Sequence, residues 1–103
     1  MVYLGAKLQY EAAKKYYKGV SNQGYSRNYK KAFFLCQEAS EAGLSEAMVL
    51  LAKMYENGHG CRRNIKEAIM WLKKAADLGN VDAQYEVGCI YSFGRYNTRM
   101  NES

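Results

Sequence analysis

Proline is missing from this chain of 103 residues, and it holds one histidine, one tryptophan and three cysteines. Each shortage removes a class of protein. Without proline nothing breaks a helix from within, and the strict apolar–polar alternation of a half-buried strand is missing as well. Cys36, Cys61 and Cys89 are odd in number and lack a CxxC spacing, so neither a disulfide framework nor a zinc site is expected. One histidine adds too little to close a metal site, and no cofactor motif is present, so the expectation is no metal and no cofactor. No apolar run approaches the roughly 18 residues that cross a bilayer, and the start, MVYLGAKLQYEAAKK, meets charge before a secretory core could form. A cytoplasmic protein without a membrane role is the resulting expectation.

What remains is 49% hydrophobic and 24% charged, enough for one modest globular domain over residues 1–103. The net charge of +5 admits an acidic partner, but Lys and Arg are interleaved with Glu through most of the chain, the pattern of solvated helix faces. Glycines recur at wide intervals between alanine-rich, charged segments. That spacing predicts an all-α chain with glycine stops.

The chain also repeats itself. NYKKAFFLCQEASEAG (Asn28 to Gly43) lies over NIKEAIMWLKKAADLG (Asn64 to Gly79) at an offset of 36 residues, with Asn, Lys, Ala, Ala and Gly coinciding. The offset continues downstream, placing Ala47 on Ala83, Leu51 on Val87, Tyr55 on Tyr91 and Gly58 on Gly94. Upstream, Ala13, Tyr16 and Gly19 match Ala52, Tyr55 and Gly58 at an offset of 39, so the first unit carries three extra residues around SNQGYS, where a loop is expected. Each unit reads as two helices. Asn64 is a candidate N-cap with Glu67 three residues on, Gly79 a left-handed stop, Ser45 a candidate cap for the preceding helix and Gly58 its stop. Small residues at 47, 52, 68, 75, 76 and 83 let helix axes approach, and Trp71, Tyr55 and Tyr91 fill the space between pairs. One such pair cannot bury its own face, whereas stacked pairs build a continuous core.

The series Ala47, Leu51, Ala52, Tyr55, Gly58, Gly60, Ala68, Trp71, Lys74, Ala75, Ala76, Gly79 and Ala83 resembles the Sel-one-like repeat, a relative of the tetratricopeptide repeat. Departures are Ala52 in place of the usual glycine, Leu35 where Trp71 stands in the next unit, and no aspartate in the loop Arg62 to Asn64. The resemblance implies a right-handed α-α superhelix of antiparallel helix pairs. About two and a half repeats are expected: units at about 5–43 and 44–79, a partial one at 80–95, and a polar tail at 96–103. It also implies a non-enzymatic adaptor that binds peptides or protein surfaces.

Catalysis finds little support in the residues. His59 and Cys61 lie beside Arg62 and Arg63, and an activated Cys61 thiolate is the chemical alternative to a plain turn, but neither a second histidine nor an orienting carboxylate stands at a recognisable spacing. SxxK and GxSxG are absent, as are the paired cysteines of family relatives named as β-lactamases. The expectation is no catalytic residue.

In tetratricopeptide relatives the first helix of each unit lines the concave surface. By that analogy the partner groove is expected at Lys7, Tyr10, Lys14 and Tyr17, then at Glu46, Val49, Lys53, Glu56 and Asn57, and in the third unit at Asp82, Tyr85, Cys89 and Ser92. Positions spaced three and four apart share a helix face. An extended peptide with an acidic end over Lys14 and Lys53 is the expected occupant. Nucleic acid is the competing reading, prompted by ten tyrosines, fifteen basic residues and YSRNYKK; interspersed glutamates and tyrosines committed to the core weigh against it. The second helix of a third unit would begin near Met100, so Val87, Ile90, Tyr91 and Phe93 are expected to form an exposed apolar surface for self-association with another copy.

Overall fold

Asparagine starts each unit's second helix in the same way. Asn28 and Asn64 are extended, with φ of −150° and −151°, and their side-chain oxygens accept from the amides of Lys31 at 3.0 Å and Glu67 at 3.1 Å. Each bond satisfies one of the four amide donors that a helix start leaves open. Asn80 does the same for the last helix, accepting from the Ala83 amide at 2.9 Å. The computed structural model describes residues 2–93, in which five α-helices follow one another: α1 (Val2–Lys18), α2 (Tyr29–Glu41), α3 (Ser45–Asn57), α4 (Ile65–Asp77) and α5 (Val81–Phe93).

The stops repeat as the caps do. Gly58 closes α3 at φ 70°, its amide donating to the Met54 carbonyl, and Gly79 follows α4 at φ 92°. The extra residues between α1 and α2 form a short 3-10 turn at Ser21–Gln23 and an isolated antiparallel bridge between Val20 and Tyr25, which sets the Tyr25 ring edge-on to Tyr16 at 4.9 Å.

Ser45 is not the cap expected of it. Leu44 holds that position without a side-chain bond, and the Ser45 hydroxyl instead accepts from the Asn80 amide group at 3.2 Å, tying the start of α3 to the start of α5.

Packing runs between consecutive helices: α1 on α2, α2 on α3, α3 on α4 and α4 on α5. Ala32, Ala39, Ala47, Ala75 and Ala83 are wholly buried, so the close approach that small residues permit is realised. Leu51, Met54, Trp71 and Leu72 fill what lies between the pairs. The result is an all-α solenoid of antiparallel helix pairs. No helix among the described residues is long and apolar enough to cross a membrane.

The expected self-association surface is corrected at its centre. Ile90 is fully buried, facing the core with Ala83 one heptad earlier, because the Asn80 cap sets α5 so that these two positions turn inward. Val87 is half-buried against that core, and Tyr91 is half-buried with the Lys73 ammonium 4.9 Å from its ring centroid. The side chain of Phe93, Met100 and the expected tail lie outside the described residues. Among the described residues, the large apolar side chains exposed near this end are Leu78, Val81 and Tyr85.

Candidate functional site

A groove of about 400 Å³ opens along the first helices of the units. Tyr10 enters from α1; α3 contributes Glu46, Val49, Leu50, Ala52, Lys53 and Glu56; Leu72 of α4 helps form the floor; Asn80, Asp82, Tyr85 and Glu86 line the α5 side. Residues 46, 49, 53 and 56 recur at three and four along α3 and so lie in one row. The Asn80–Ser45 bond fixes the two flanking helix starts relative to one another.

Seven of the expected groove residues meet here: Tyr10, Glu46, Val49, Lys53, Glu56, Asp82 and Tyr85. Six do not, Cys89 and Ser92 of α5 among them. Lys7 is exposed elsewhere on α1. Lys14 lines a separate shallow recess with Glu11, Lys15, Lys18 and Val20, paired to the Glu11 carboxylate at 3.5 Å and held 4.7 Å from the Tyr10 ring centroid. Asn57 donates from its side chain to the Lys53 carbonyl at 3.1 Å. Tyr17 is drawn into a ring cluster, its hydroxyl 2.8 Å from His59 Nδ1 and its ring 5.3 Å from that of Tyr29. Sequence reasoning misses Leu50, Ala52, Leu72, Asn80 and Glu86: residues that cap or floor a groove carry the same apolar or asparagine signal as those that do nothing else, and Glu86 reads as one more solvated charge.

Read across the units, the expected groove is basic and tyrosine-lined at its N-terminal end and more acidic beyond; the cavity takes in the acidic stretch and Tyr10 but none of the α1 lysines. Four carboxylates, those of Glu46, Glu56, Asp82 and Glu86, line it against one ammonium, that of Lys53. The Tyr10 phenol registers this field: burial raises its pKa, and Glu46, with Glu11 and Asp82 among the further contributors, raises it again. Lys14 and Lys53 do not line one cavity, so the expected placement of an acidic end over both lysines is not realised, and an acidic group among these carboxylates would meet like charge.

His59 and Cys61 belong to the turn between α3 and α4. The His59 ring stacks on Tyr29 with centroids 4.2 Å apart and planes 11° from parallel. Arg63 turns away and donates from Nε to the Glu56 carbonyl at 3.1 Å, while the Cys61 thiol points to the Met54 carbonyl at 3.6 Å. Burial pushes the Cys61 thiol pKa up, the reverse of what an activated nucleophile needs. Among the described residues no group of acidic, histidine and cysteine side chains is placed to hold a metal ion.

Several of the tyrosines that prompt the nucleic-acid reading stand against the chain's own cations: Tyr25 by Lys15 at 5.1 Å, Tyr16 by Lys31 at 5.1 Å and Tyr29 by Arg27 at 5.9 Å. A base would have to displace these partners before it could stack.

Cys36 is the thiol most removed from solvent. It is wholly buried, its Sγ donates to the Ala47 carbonyl at 3.0 Å, and burial lifts its pKa from 9.0 to about 12. The folded chain thus holds this proton more tightly than the unfolded chain. The contribution to stability is complete below the unfolded thiol pKa and is lost as pH rises through 9 towards 12. At pH 8, iodoacetamide is expected to label Cys36 only in unfolded molecules, with labelling tracking the urea transition when peptides are read by mass spectrometry. Labelling of the native protein at the unfolded rate would show that the α2–α3 contact opens.

Three comparisons place the chain among known proteins. The family model described as Sel1 repeat matches residues 6–44, 45–80 and 81–100. A curated relative, the chitin synthase regulator SKT5 of Saccharomyces cerevisiae, is 33% identical in an alignment of 85 positions that covers 77% of this chain and 12% of that protein. Among solved structures, a Sel1 repeat protein from Oxalobacter formigenes superposes with a TM-score of 0.80 at 30% identity, covering 86% of this chain and 35% of that one. The protective antigen c5321 of uropathogenic Escherichia coli, which displays the same repeat fold, gives 0.78 at 31% identity over 86% of this chain and 18% of that one. The chain spans a small part of each of these proteins.

Proposed function

Because the chain belongs to the Sel1 repeat family, we propose that it is a non-enzymatic adaptor that receives a segment of a protein partner in the groove between α1, α3 and α5. Sel1 repeat proteins are in general protein-interaction modules. The observation that carries the reading here is the convergence of Tyr10, Val49, Leu50 and Tyr85 from three helices on one concavity. Rigid tyrosines with apolar neighbours give a large contact area at low entropic cost, the composition of an interaction hot spot. The yeast relative is named as the regulator of an enzyme, a role exercised through another protein, and this supports the same mode of action. A reducing compartment such as the cytoplasm suits Cys36, Cys61 and Cys89, all of which carry free thiols.

Tyr85 is 70% exposed, so removing its ring tests binding without disturbing the core. Peptides selected from a random displayed library on the purified chain are expected to bind Tyr85→Ala about tenfold or more weakly by fluorescence anisotropy, the loss of one hot-spot aromatic. Equal affinity for Tyr85→Ala and wild type, with Phe34→Ala on another exposed surface abolishing binding instead, would move the interface off the groove.

A further inference from the structure

Acidity is concentrated in the groove to a degree the whole chain hides. Among the described residues, four of nine acidic side chains line it while of thirteen Lys and Arg only Lys53 does, in a chain whose net charge is +5. Glu46, Glu56 and Asp82 make no ion pair among the described residues, where the single salt bridge is Lys14 with Glu11. Glu46 and Asp82 occupy the first turns of α3 and α5, where the free helix amides favour a carboxylate, and Glu56 stands at the other end of α3. Ten residues of helix separate Glu46 from Glu56, roughly 15 Å at the α-helical rise. Val49 and Leu50 lie between these two acidic poles.

From this arrangement we infer that the partner segment is a basic peptide, with two Lys or Arg side chains flanking an apolar residue. An extended chain advances about 3.3 Å per residue, so basic residues some four or five positions apart reach the two poles while the apolar residue meets Val49, Leu50 and Tyr85. The fit is one of charge and spacing together: arginine forks and lysine ammonium groups pair with the carboxylates of Glu46, Glu56 and Asp82, and the tyrosine rings accept their cations on the π-face. The positive net charge of the chain works against long-range attraction of the same peptide to the surface as a whole, so the clustered carboxylates of the groove set its position. The inference rests on the groove being the binding surface.

Selection of a random twelve-residue library on the wild-type chain, counter-selected on Tyr85→Ala, tests it. Enriched peptides are expected to carry two or more Lys or Arg around an apolar residue. A selected peptide is expected to bind the triple variant Glu46→Gln/Glu56→Gln/Asp82→Asn at least tenfold more weakly, and the control pair Glu41→Gln/Asp77→Asn, at exposed positions outside the groove, within twofold. Should the triple variant melt early, Asp82→Asn alone, at an exposed position, is expected to weaken binding about threefold. Enrichment of neutral or acidic peptides that still depend on Tyr85 would overturn the basic partner while leaving the groove standing. Failure to enrich any Tyr85-dependent peptide would remove the groove and the inference with it, and equal losses for the triple variant and the control pair would reduce the attraction to overall charge.

Discussion

Replacing Gly60 with alanine is expected to lower the melting temperature by about 10 °C or more. At φ 79° the residue sits in the left-handed region, and a Cβ there would overlap the Tyr29 carbonyl oxygen and stand 2.7 Å from its carbonyl carbon and 2.9 Å from the Phe33 Cβ. The two nearest of these atoms are backbone, and a helix start cannot step aside as a flexible side chain can. Left-handed strain of about 1–2 kcal/mol for a non-glycine residue therefore adds to a steric overlap, for a total of roughly 3 kcal/mol or more. In a domain of this size each kcal/mol moves the midpoint by about 4–8 °C. Gly79 separates the two contributions. Its φ is 92°, yet a Cβ added there would meet nothing within 4 Å, so Gly79→Ala is expected to cost only the backbone strain. If differential scanning calorimetry gave the two variants the same midpoint, the close approach of the second turn to the first unit would be irrelevant to stability. The same turn carries His59 onto Tyr29 and Tyr17, so a displaced Gly60 should also break the 2.8 Å contact between Tyr17 and His59.

Leu51→Ala is expected to cost about 2–5 kcal/mol in urea unfolding, with the slope of the transition unchanged. Leu51 is fully buried on the face of α3 that carries Ala47 and Met54, and packing is continuous with α2 on one side and α4 on the other. Alanine neighbours have no side chain long enough to swing into the vacated volume, which places the loss in the upper part of that range. Phe34, larger but 58% exposed, should lose no more than about 0.5 kcal/mol on truncation to alanine. A loss at Leu51 as small as that at Phe34 would mean that the units hold together without their shared core.

The features legible in the sequence are those that occur more than once. Asn28 and Asn64 are caps because the same residue precedes the same pattern twice, and Gly58 and Gly79 are stops for the same reason. Features that depend on a partner far along the chain are not legible. Ser45 reads as a cap by residue type, but Asn80, thirty-five positions away, takes its hydroxyl. Tyr17 fits the groove spacing along α1, but His59, forty-two positions away, captures it. Ile90 escapes periodicity because α5 is apolar around much of its circumference, so spacing does not say which apolar residues face inward; Val81 and Tyr85 are exposed and Ile90 is not. The groove holds seven of its thirteen expected residues and the acidity expected beyond its N-terminal end, without the lysines expected of α1. Counting lysines along α1 does not reveal that, among the described residues of that helix, Tyr10 alone lines the cavity.

Packing between consecutive helices has a consequence for how the chain comes into being. On a ribosome, α1 and α2 have nearly all of each other's contacts available once Glu41 has left the exit tunnel, with no need for α4 or α5 to exist. Each new helix then finds its docking surface already presented by the one synthesised just before it. The long-range bonds described above, from His59 to Tyr17 and from Asn80 to Ser45, reach back one unit and act as late latches on a stack that grows in the order in which it is translated.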